Sequence, residues 1–204
     1  DYPESMLPLM GLHPTSVKEN YKEELAIIKK ALDNGKYYGI GEIGIDLYWD
    51  QTFKKEQQYV FQTQLQWAKE KKLPVSIHIR NAFDEVFEIV EQEQSPDLTG
   101  VFHCFTGTLE QAQKAIDLNF YLGIGGVVTF KNGKIDKFLN NIPPQHIVVE
   151  TDAPWLAPTP YRGKRNEPAY LELILDKLTD IYQMTKKDME SILYNNSLSI
   201  FKFK

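Results

Sequence analysis

Short apolar runs alternate with amphipathic helical patterns along the 204-residue chain. Several runs contain Val, Ile or aromatic residues and are bounded by Gly or Pro, which is typical of buried parallel strands. Right-handed crossovers join strands of this kind into one parallel sheet. We therefore predict six βα units. Their strands are Met6–Leu12, Tyr38–Ile45, Pro74–Ile79, Gly100–Phe105, Phe120–Val128 and His146–Thr151.

Helical periodicity fills the segments between these runs. Tyr21, Leu25, Ile28 and Leu32 share one helix face. A second helix begins near Phe53, and its mostly apolar stripe includes two glutamines. The members of that stripe are Phe53, Gln57, Val60, Phe61, Gln64 and Ala68. Later helices are predicted to begin near Ala82, Thr108, Pro168 and Thr185.

Glycine placement decides between the two common sheet architectures of this alternating pattern. No glycine-rich phosphate-binding motif follows a predicted strand, because Gly39-Ile40-Gly41 lies inside one. This disfavours an open dinucleotide-binding sheet and favours an α/β barrel of the (β/α)8 TIM type. No linker or low-complexity stretch interrupts the chain, so residues 1–204 are predicted to form a single domain.

Composition and charge narrow the classes of function. With 23 basic and 28 acidic residues the net charge is -5, so any contact with nucleic acid has to be local or metal-assisted. The one cysteine, Cys104, indicates a reducing compartment, and we predict a cytoplasmic protein with a buried, inert thiol. No apolar run approaches the ~18–20 residues of a membrane span. No membrane contact and no stable protein partner are predicted.

Polar residues stand at the predicted carboxyl ends of the strands, where the catalytic groups of barrels project. These residues are His13, Glu42, Asp46, His78, Arg80, His103, Glu150 and Asp152. Imidazoles and carboxylates together are the ligands that borderline divalent ions prefer. We therefore predict a metal site of Glu42, His78, His103 and Asp152 at one end of the sheet.

Each of these residues also has a structural interpretation when it is taken singly. A lone histidine in a strand is often a core residue, and Asp152 can cap the turn at Ala153-Pro154. Glu42 is harder to explain in this way, because a carboxylate among glycines and isoleucines needs a cation or several donors. His146 stands at the beginning of its strand, so we expect it to be structural.

Two further features are relevant to substrate binding. The loop Thr159–Pro168 places three cations around a glycine before a helix, which suits a phosphate clamp or simply a solvated basic loop. Trp49 and Trp155 lie on loops that follow strands, where each can stack on a base or pack against its own loop. Trp67 is expected to pack within its helix.

Six short motifs occur in a characteristic order. They are Gly11–Pro14, Gly41–Asp46, Ser76–Arg80, Val101–Gly107, Glu150–Pro158 and Arg162–Asn166. In this order the motifs resemble those of the TatD-type metal-dependent deoxyribonucleases, a branch of the amidohydrolase-like TIM-barrel hydrolases. The resemblance extends over the whole chain. It implies a hydrolase that cleaves DNA phosphodiester bonds from a chain end with two divalent ions (Mg²⁺, Mn²⁺ or Zn²⁺) and an activated water.

The resemblance also implies a role for each matching residue. Glu42 matches the carboxylate that contacts both metals, and Asp152 matches the aspartate that helps hold one metal and orients the attacking water. Glu42 and Asp152 are thus the catalytic residues. His78 and His103 match two ligands of the other metal. The residues that match positions near the substrate phosphate are His13, Arg162, Lys164 and Arg165.

The sequence departs from the family at one point. The family carries a His-x-His pair on its first strand, and the four histidines of this chain are all isolated. The six predicted strands match the third to eighth of the barrel, so we expect an N-terminally incomplete barrel that binds one metal well and cleaves DNA weakly. Two alternatives stay open: a hydrolase of another ester or amide in the same superfamily, and a non-catalytic remnant.

Overall fold

The computed structural model describes residues 6–201 and has an α/β fold with a parallel five-stranded sheet. The order of the strands in the sheet is their order in the chain. The strands are β1 (Ile40–Asp46), β2 (Val75–Arg80), β3 (Gly100–Phe102), β4 (Phe120–Ile124) and β5 (Ile147–Val149). Five of the six predicted strands are therefore confirmed.

The prediction of a complete strand over Met6–Leu12 is wrong, and six βα units are not confirmed. This segment forms one isolated parallel bridge, between Leu9 and Gly39. Pro8 accepts a hydrogen bond from the Tyr38 amide but has no N–H of its own to donate. Met10 continues the contact by donating to the Gly39 carbonyl. The segment thus lies beside β1 without becoming a regular strand.

Within residues 6–201, six α-helices follow the predicted pattern. They are α1 (Tyr21–Asn34), α2 (Lys54–Lys71), α3 (Phe83–Gln92), α4 (Leu109–Asp117), α5 (Leu171–Tyr182) and α6 (Lys186–Phe201). At α4 the Thr108 hydroxyl accepts from the Gln111 amide, while the Gln111 side chain accepts from the Thr108 amide. This capping box satisfies two otherwise unpaired donors, so the helix start follows from local sequence alone. Among the described residues no helix is long and apolar enough to cross a bilayer.

The chain divides into two compact units, Asp1–Val101 and Phe102–Lys204. In the first unit β1 and β2 pair in parallel, with Gly44 opposite His78. Beside them, the buried side chains of Leu12, Val17, Leu25 and Val60 form a cluster, and Trp67 packs against it as predicted. The residue before His13 is thus anchored in the core.

A buried carboxylate fixes α2 against α3 in the first unit. Glu93, at the end of α3, accepts hydrogen bonds from Gln62, Gln66 and Lys69 of α2. Burial tends to raise the pKa of Glu93, but the three donors outweigh it and hold that pKa below its ordinary value. Because α2 is held in this way, it can serve as a rigid support for the strand ends beside it.

In the second unit β4 and β5 pair in parallel, with Ile124 opposite Val149. Asn196 of α6 donates to the carbonyls of Pro144 and Ile147 and so fixes the beginning of β5. His146 ends the 3-10 turn that precedes this strand, which is the position expected of a structural histidine.

Candidate metal centre

Three side chains of the first unit bring ligand atoms together. Glu42 Oε1 lies 2.7 Å from His78 Nδ1 and 3.6 Å from His13 Nε2. Among the residues the structure describes, this is a group whose three ligand atoms all lie within 4.8 Å of one another. The rings of His13 and His78 meet edge to face with centroids 4.6 Å apart. His13, expected beside the substrate phosphate, is thus also placed as a candidate ligand.

The second nitrogen of each ring has a partner that sets the orientation of the ring. Asp46 Oδ2 lies 2.9 Å from His78 Nε2, and the Thr15 hydroxyl lies 2.8 Å from His13 Nδ1. A histidine that binds a metal usually donates its other N–H to a carboxylate or another oxygen, and the His78–Asp46 pair has this arrangement. His13 Nδ1 instead accepts a hydrogen bond from the Thr15 amide at 3.2 Å. The nitrogens left to face Glu42 are His78 Nδ1 and His13 Nε2.

This donor set fits a divalent cation. Atoms that share one ion at about 2.1 Å stand about 3–3.5 Å apart, and the two distances to Glu42 Oε1 bracket that range within a few tenths of an ångström. The carboxylates of Glu42 and Asp46 both contact the His78 ring, so a neutral imidazole can donate to only one of them. A cation at the other nitrogen satisfies the second carboxylate.

Two buried glutamines of α2 hold the backbone at this site. Gln64 accepts from the amide of Leu12 and donates to the carbonyl of the same residue. Gln57, seven residues earlier on the same helix face, makes the same pair of bonds with Asp46. Each side chain satisfies a backbone N–H and C=O that lie away from water. This explains why two polar residues occupy an otherwise apolar helix stripe.

A second histidine–carboxylate group lies in the second unit. His103 Nδ1 is 2.7 Å from Glu150 Oε2, and His103 Nε2 is 3.4 Å from Asp152 Oδ1. Glu150 therefore orients the ring, while Nε2 and the Asp152 oxygen face each other at a distance that two ligands of one ion can adopt. The Asp152 side chain faces His103, and the Ala153 amide donates to the Thr151 hydroxyl.

The Glu150 carboxylate is closely confined. Its other oxygen, Oε1, accepts from the backbone amide of Cys104. Gly123 lies so close that a Cβ atom there would stand 2.8 Å from Glu150 Oε2. Cys104 and Asp152 both adopt positive φ, a conformation that is uncommon for residues other than glycine. The Cys104 thiol is partly buried rather than fully buried as expected.

The basic loop is attached to the backbone on both sides of Asp152. Asn166, which is 1% exposed, donates from Nδ2 to the carbonyls of Thr151 and Trp155. The guanidinium carbon of Arg162 lies 3.7 Å from the centroid of the Phe130 ring. Arg162, Lys164 and Arg165 are all exposed. Asn166 is thus a structural tether, and the three cations are available to an anion.

The structure brings together some of the predicted ligands. Glu42 lies with His78 in the first unit, and His103 lies with Asp152 in the second. The convergence of all four on one site stays a prediction. Asp46 and Glu150 are predicted at strand ends, but not as the carboxylates that orient the rings of His78 and His103. The available signal was an acidic residue four positions after Glu42 and another two positions before Asp152.

Comparisons of the sequence with known proteins give one consistent family. The family described as TatD related DNase matches residues 1–202. The chain is 40% identical to YabD of Bacillus subtilis, named as an uncharacterized metal-dependent hydrolase, over 95% of this chain and 76% of that protein. It is 32% identical to YcfH of Escherichia coli, which has the same description, over 94% of this chain and 72% of that protein.

Comparison with solved structures leads to the same family. The crystal structure of YJJV, a TatD homolog from Escherichia coli, superimposes with a TM-score of 0.92 at 27% sequence identity. The match covers 100% of this chain and 80% of that one. The fold and the metal-dependent character of the relatives therefore agree with the donor set described above.

Proposed function

This chain belongs to the TatD related DNase family of metal-dependent hydrolases, and we propose that it hydrolyses the phosphodiester bonds of DNA from a chain end. The observation that carries the proposal is that His13 Nε2, Glu42 Oε1 and His78 Nδ1 lie close together. The other ring nitrogens of the two histidines already contact Thr15 and Asp46. Such preorganised ligands suit a catalytic cation, because the geometry is set before the ion binds.

The proposed ligands are Glu42, His78, His103 and Asp152, and His13 is proposed to lie beside the substrate phosphate. A divalent cation at such a site, Mg²⁺, Mn²⁺ or Zn²⁺, supplies Lewis acidity that makes water more acidic and neutralises charge on phosphoryl oxygens. Asp46 and Glu150 keep the rings of His78 and His103 in the ligating orientation. Glu42 and Asp152 have side chains 30% and 25% exposed, so that water and a phosphate can reach them.

Asp152 is proposed to position the attacking water. Its carboxylate accepts a hydrogen bond from the water, and then the proton, as the water oxygen bonds to phosphorus. The bond between phosphorus and the leaving sugar oxygen breaks, that oxygen receives a proton from bulk water, and the protonated Asp152 returns its proton to the solvent. His103 Nε2 lies 3.4 Å from Asp152 Oδ1, a distance at which these two atoms would hold one cation between them.

The basic loop favours DNA over a neutral substrate. Because Asn166 bonds to the residues on both sides of Asp152, the cations Arg162, Lys164 and Arg165 belong to a loop fixed beside that carboxylate. Guanidinium and ammonium groups bind phosphate oxygens well. A hydrolase of another ester or amide does not need three such cations. A DNA substrate therefore accounts for the three cations of this loop, whereas a neutral ester or amide does not.

The proposal includes the fold. We place the Met6–Leu12 segment and strands β1 to β5 at the third to eighth strand positions of a (β/α)8 TIM-type barrel, within one domain. The parallel sheet and the TM-score of 0.92 to YJJV support this assignment.

A metal-depletion experiment tests the proposed function. Incubation with a chelator should lower cleavage of end-labelled DNA by more than about 100-fold, and added Mn²⁺, Mg²⁺ or Zn²⁺ should restore it. Products should shorten stepwise from one end. Aryl esters and amides serve as competing substrates in the same assay. Cleavage that resists the chelator would contradict the proposal, as would faster hydrolysis of an ester. Metal binding with no hydrolysis at all would favour the non-catalytic alternative.

The basic loop gives a separate prediction. Replacing Arg162, Lys164 and Arg165 with Ala should weaken DNA binding and reduce the slope of log affinity against log salt, by about 0.7–0.9 for each DNA phosphate that these cations neutralise. Metal affinity should not change. The matched control removes three exposed lysines near α1, Lys22, Lys30 and Lys36, and thus the same charge. Equal salt slopes for the two triple variants would mean that the loop is only a solvated basic segment.

A further inference from the structure

Two aromatic side chains are exposed directly after β1. The Trp49 side chain is 76% exposed and that of Tyr48 is 49% exposed. Their rings stand at 90° with centroids 4.6 Å apart. Loop packing, one of the two sequence interpretations of Trp49, does not fit this exposure. Large aromatic faces in water are typical of binding surfaces rather than of structural loops.

A cation from the neighbouring strand holds these rings. The Arg80 guanidinium carbon lies 3.8 Å from the Tyr48 ring centroid and 5.5 Å from that of Trp49. Cation–π contacts of this kind fix the orientation of a ring. Arg80 ends β2, two residues after His78. We call Tyr48, Trp49 and Arg80 the aromatic platform.

The platform is built onto the candidate metal centre. Asp46, whose carboxylate contacts His78, also accepts a hydrogen bond from the Tyr48 amide through Oδ1 at 3.0 Å. Trp49 lines a cavity of about 120 Å³ together with Asp46 and Thr15, the partners of His78 and His13. Lys18 and Asp50 also line this cavity, and their charged groups lie 3.9 Å apart. The indole therefore lies beside a cavity that adjoins the two residues contacting the outer nitrogens of the His13 and His78 rings.

We propose that the aromatic platform stacks a nucleobase of the DNA strand whose phosphate is bound at the metal centre. This inference rests on the proposed function and adds a binding site to it. A base offers a flat π-face to an indole whatever its sequence, and each such stack is worth about 1–3 kcal/mol in nucleic-acid complexes. The guanidinium of Arg80 suits the same ligand, since it attracts both π-faces and phosphate oxygens.

Kinetics on paired substrates test the platform. Trp49→Ala should raise KM for a single-stranded oligonucleotide about tenfold, whereas Trp49→Phe should retain most of the affinity. The matched substrate is an oligonucleotide with abasic sites, which keeps the phosphates and lacks the bases. On it, Trp49→Ala and wild type should have the same KM. Tyr194→Ala, which removes an exposed aromatic side chain of α6, is the control variant.

Fluorescence tests the stacking without catalysis. The double variant Trp67→Phe and Trp155→Phe leaves Trp49 as the one indole, and Phe preserves an aromatic ring where Trp67 packs against the core. Single-stranded DNA should quench Trp49 emission, and an abasic strand of equal length should not. Equal quenching by the two strands, or none, would overturn the platform, as would an unchanged KM in Trp49→Ala. If wild type cleaves no DNA and quenching still depends on bases, the proposed function fails and the platform stands.

Discussion

Replacing Glu42 with Gln should lower metal-dependent DNA cleavage by at least about 10³-fold, which corresponds to about 4 kcal/mol of transition-state stabilisation. Glu42 Oε1 is the atom that the two histidines share, at 2.7 Å from His78 and 3.6 Å from His13. Gln preserves the shape and one acceptor but removes the negative charge that balances a divalent cation. Steady-state kinetics measure the loss of cleavage, and calorimetric titration with metal measures the effect of the lost charge on metal binding.

Stability should respond much less than activity to this substitution. The Glu42 side chain is 30% exposed, so removing its charge should change the free energy of unfolding by less than about 1 kcal/mol. Glu23→Gln, on an exposed position of α1, makes the same chemical change away from any proposed ligand and should leave cleavage unaltered. Wild-type cleavage by Glu42→Gln would exclude this carboxylate as a shared ligand.

The second large effect is expected at Glu150. Its two oxygens accept from two different donors, His103 Nδ1 and the Cys104 amide. A Gln side chain has one acceptor oxygen and one NH2 group. In Glu150→Gln, one of these two donors must therefore face the NH2 group of the new glutamine. We expect a loss of about 10–100-fold in metal affinity at the His103 side, with kcat reduced more than KM is raised. Metal titration and steady-state kinetics check both expectations.

Two glycines provide a matched test of this positioning role. Gly123→Ala would place a Cβ 2.8 Å from Glu150 Oε2 and should displace the carboxylate, so it should reproduce the effect of Glu150→Gln. At Gly125 the nearest Glu150 atoms would lie 3.7 Å from a new Cβ, which is ordinary contact. Gly125→Ala should therefore behave like wild type. If both alanine variants retain full metal affinity, the confinement of Glu150 has no functional role.

The sequence by itself determined the local elements and the types of residue at the strand ends. The α4 start depends on Thr108 and Gln111, which are three residues apart, and five of the six apolar runs form strands. Such features need only the period of the side chains and hydrogen bonds between near neighbours, so they can be predicted without distant parts of the chain. The Met6–Leu12 segment does not form a strand, because Pro8 has no N–H to donate and the N–H and C=O of Leu12 bond to the Gln64 side chain.

Only the tertiary structure decided which side chains meet and in what orientation. Asp46 and His78 are 32 residues apart in the chain, and Glu150 and His103 are 47 apart. The tautomer and direction of a histidine depend on the partner of its second nitrogen, and that partner is supplied by strand pairing rather than by neighbouring residues. In the sequence, Gln64 is only a polar residue in an apolar helix stripe. Its role becomes visible in the fold, where it bonds to the backbone of Leu12. The sequence therefore determines which type of side chain each ligand has. The orientation of each ligand depends on contacts that form only when the strands and α2 pack together.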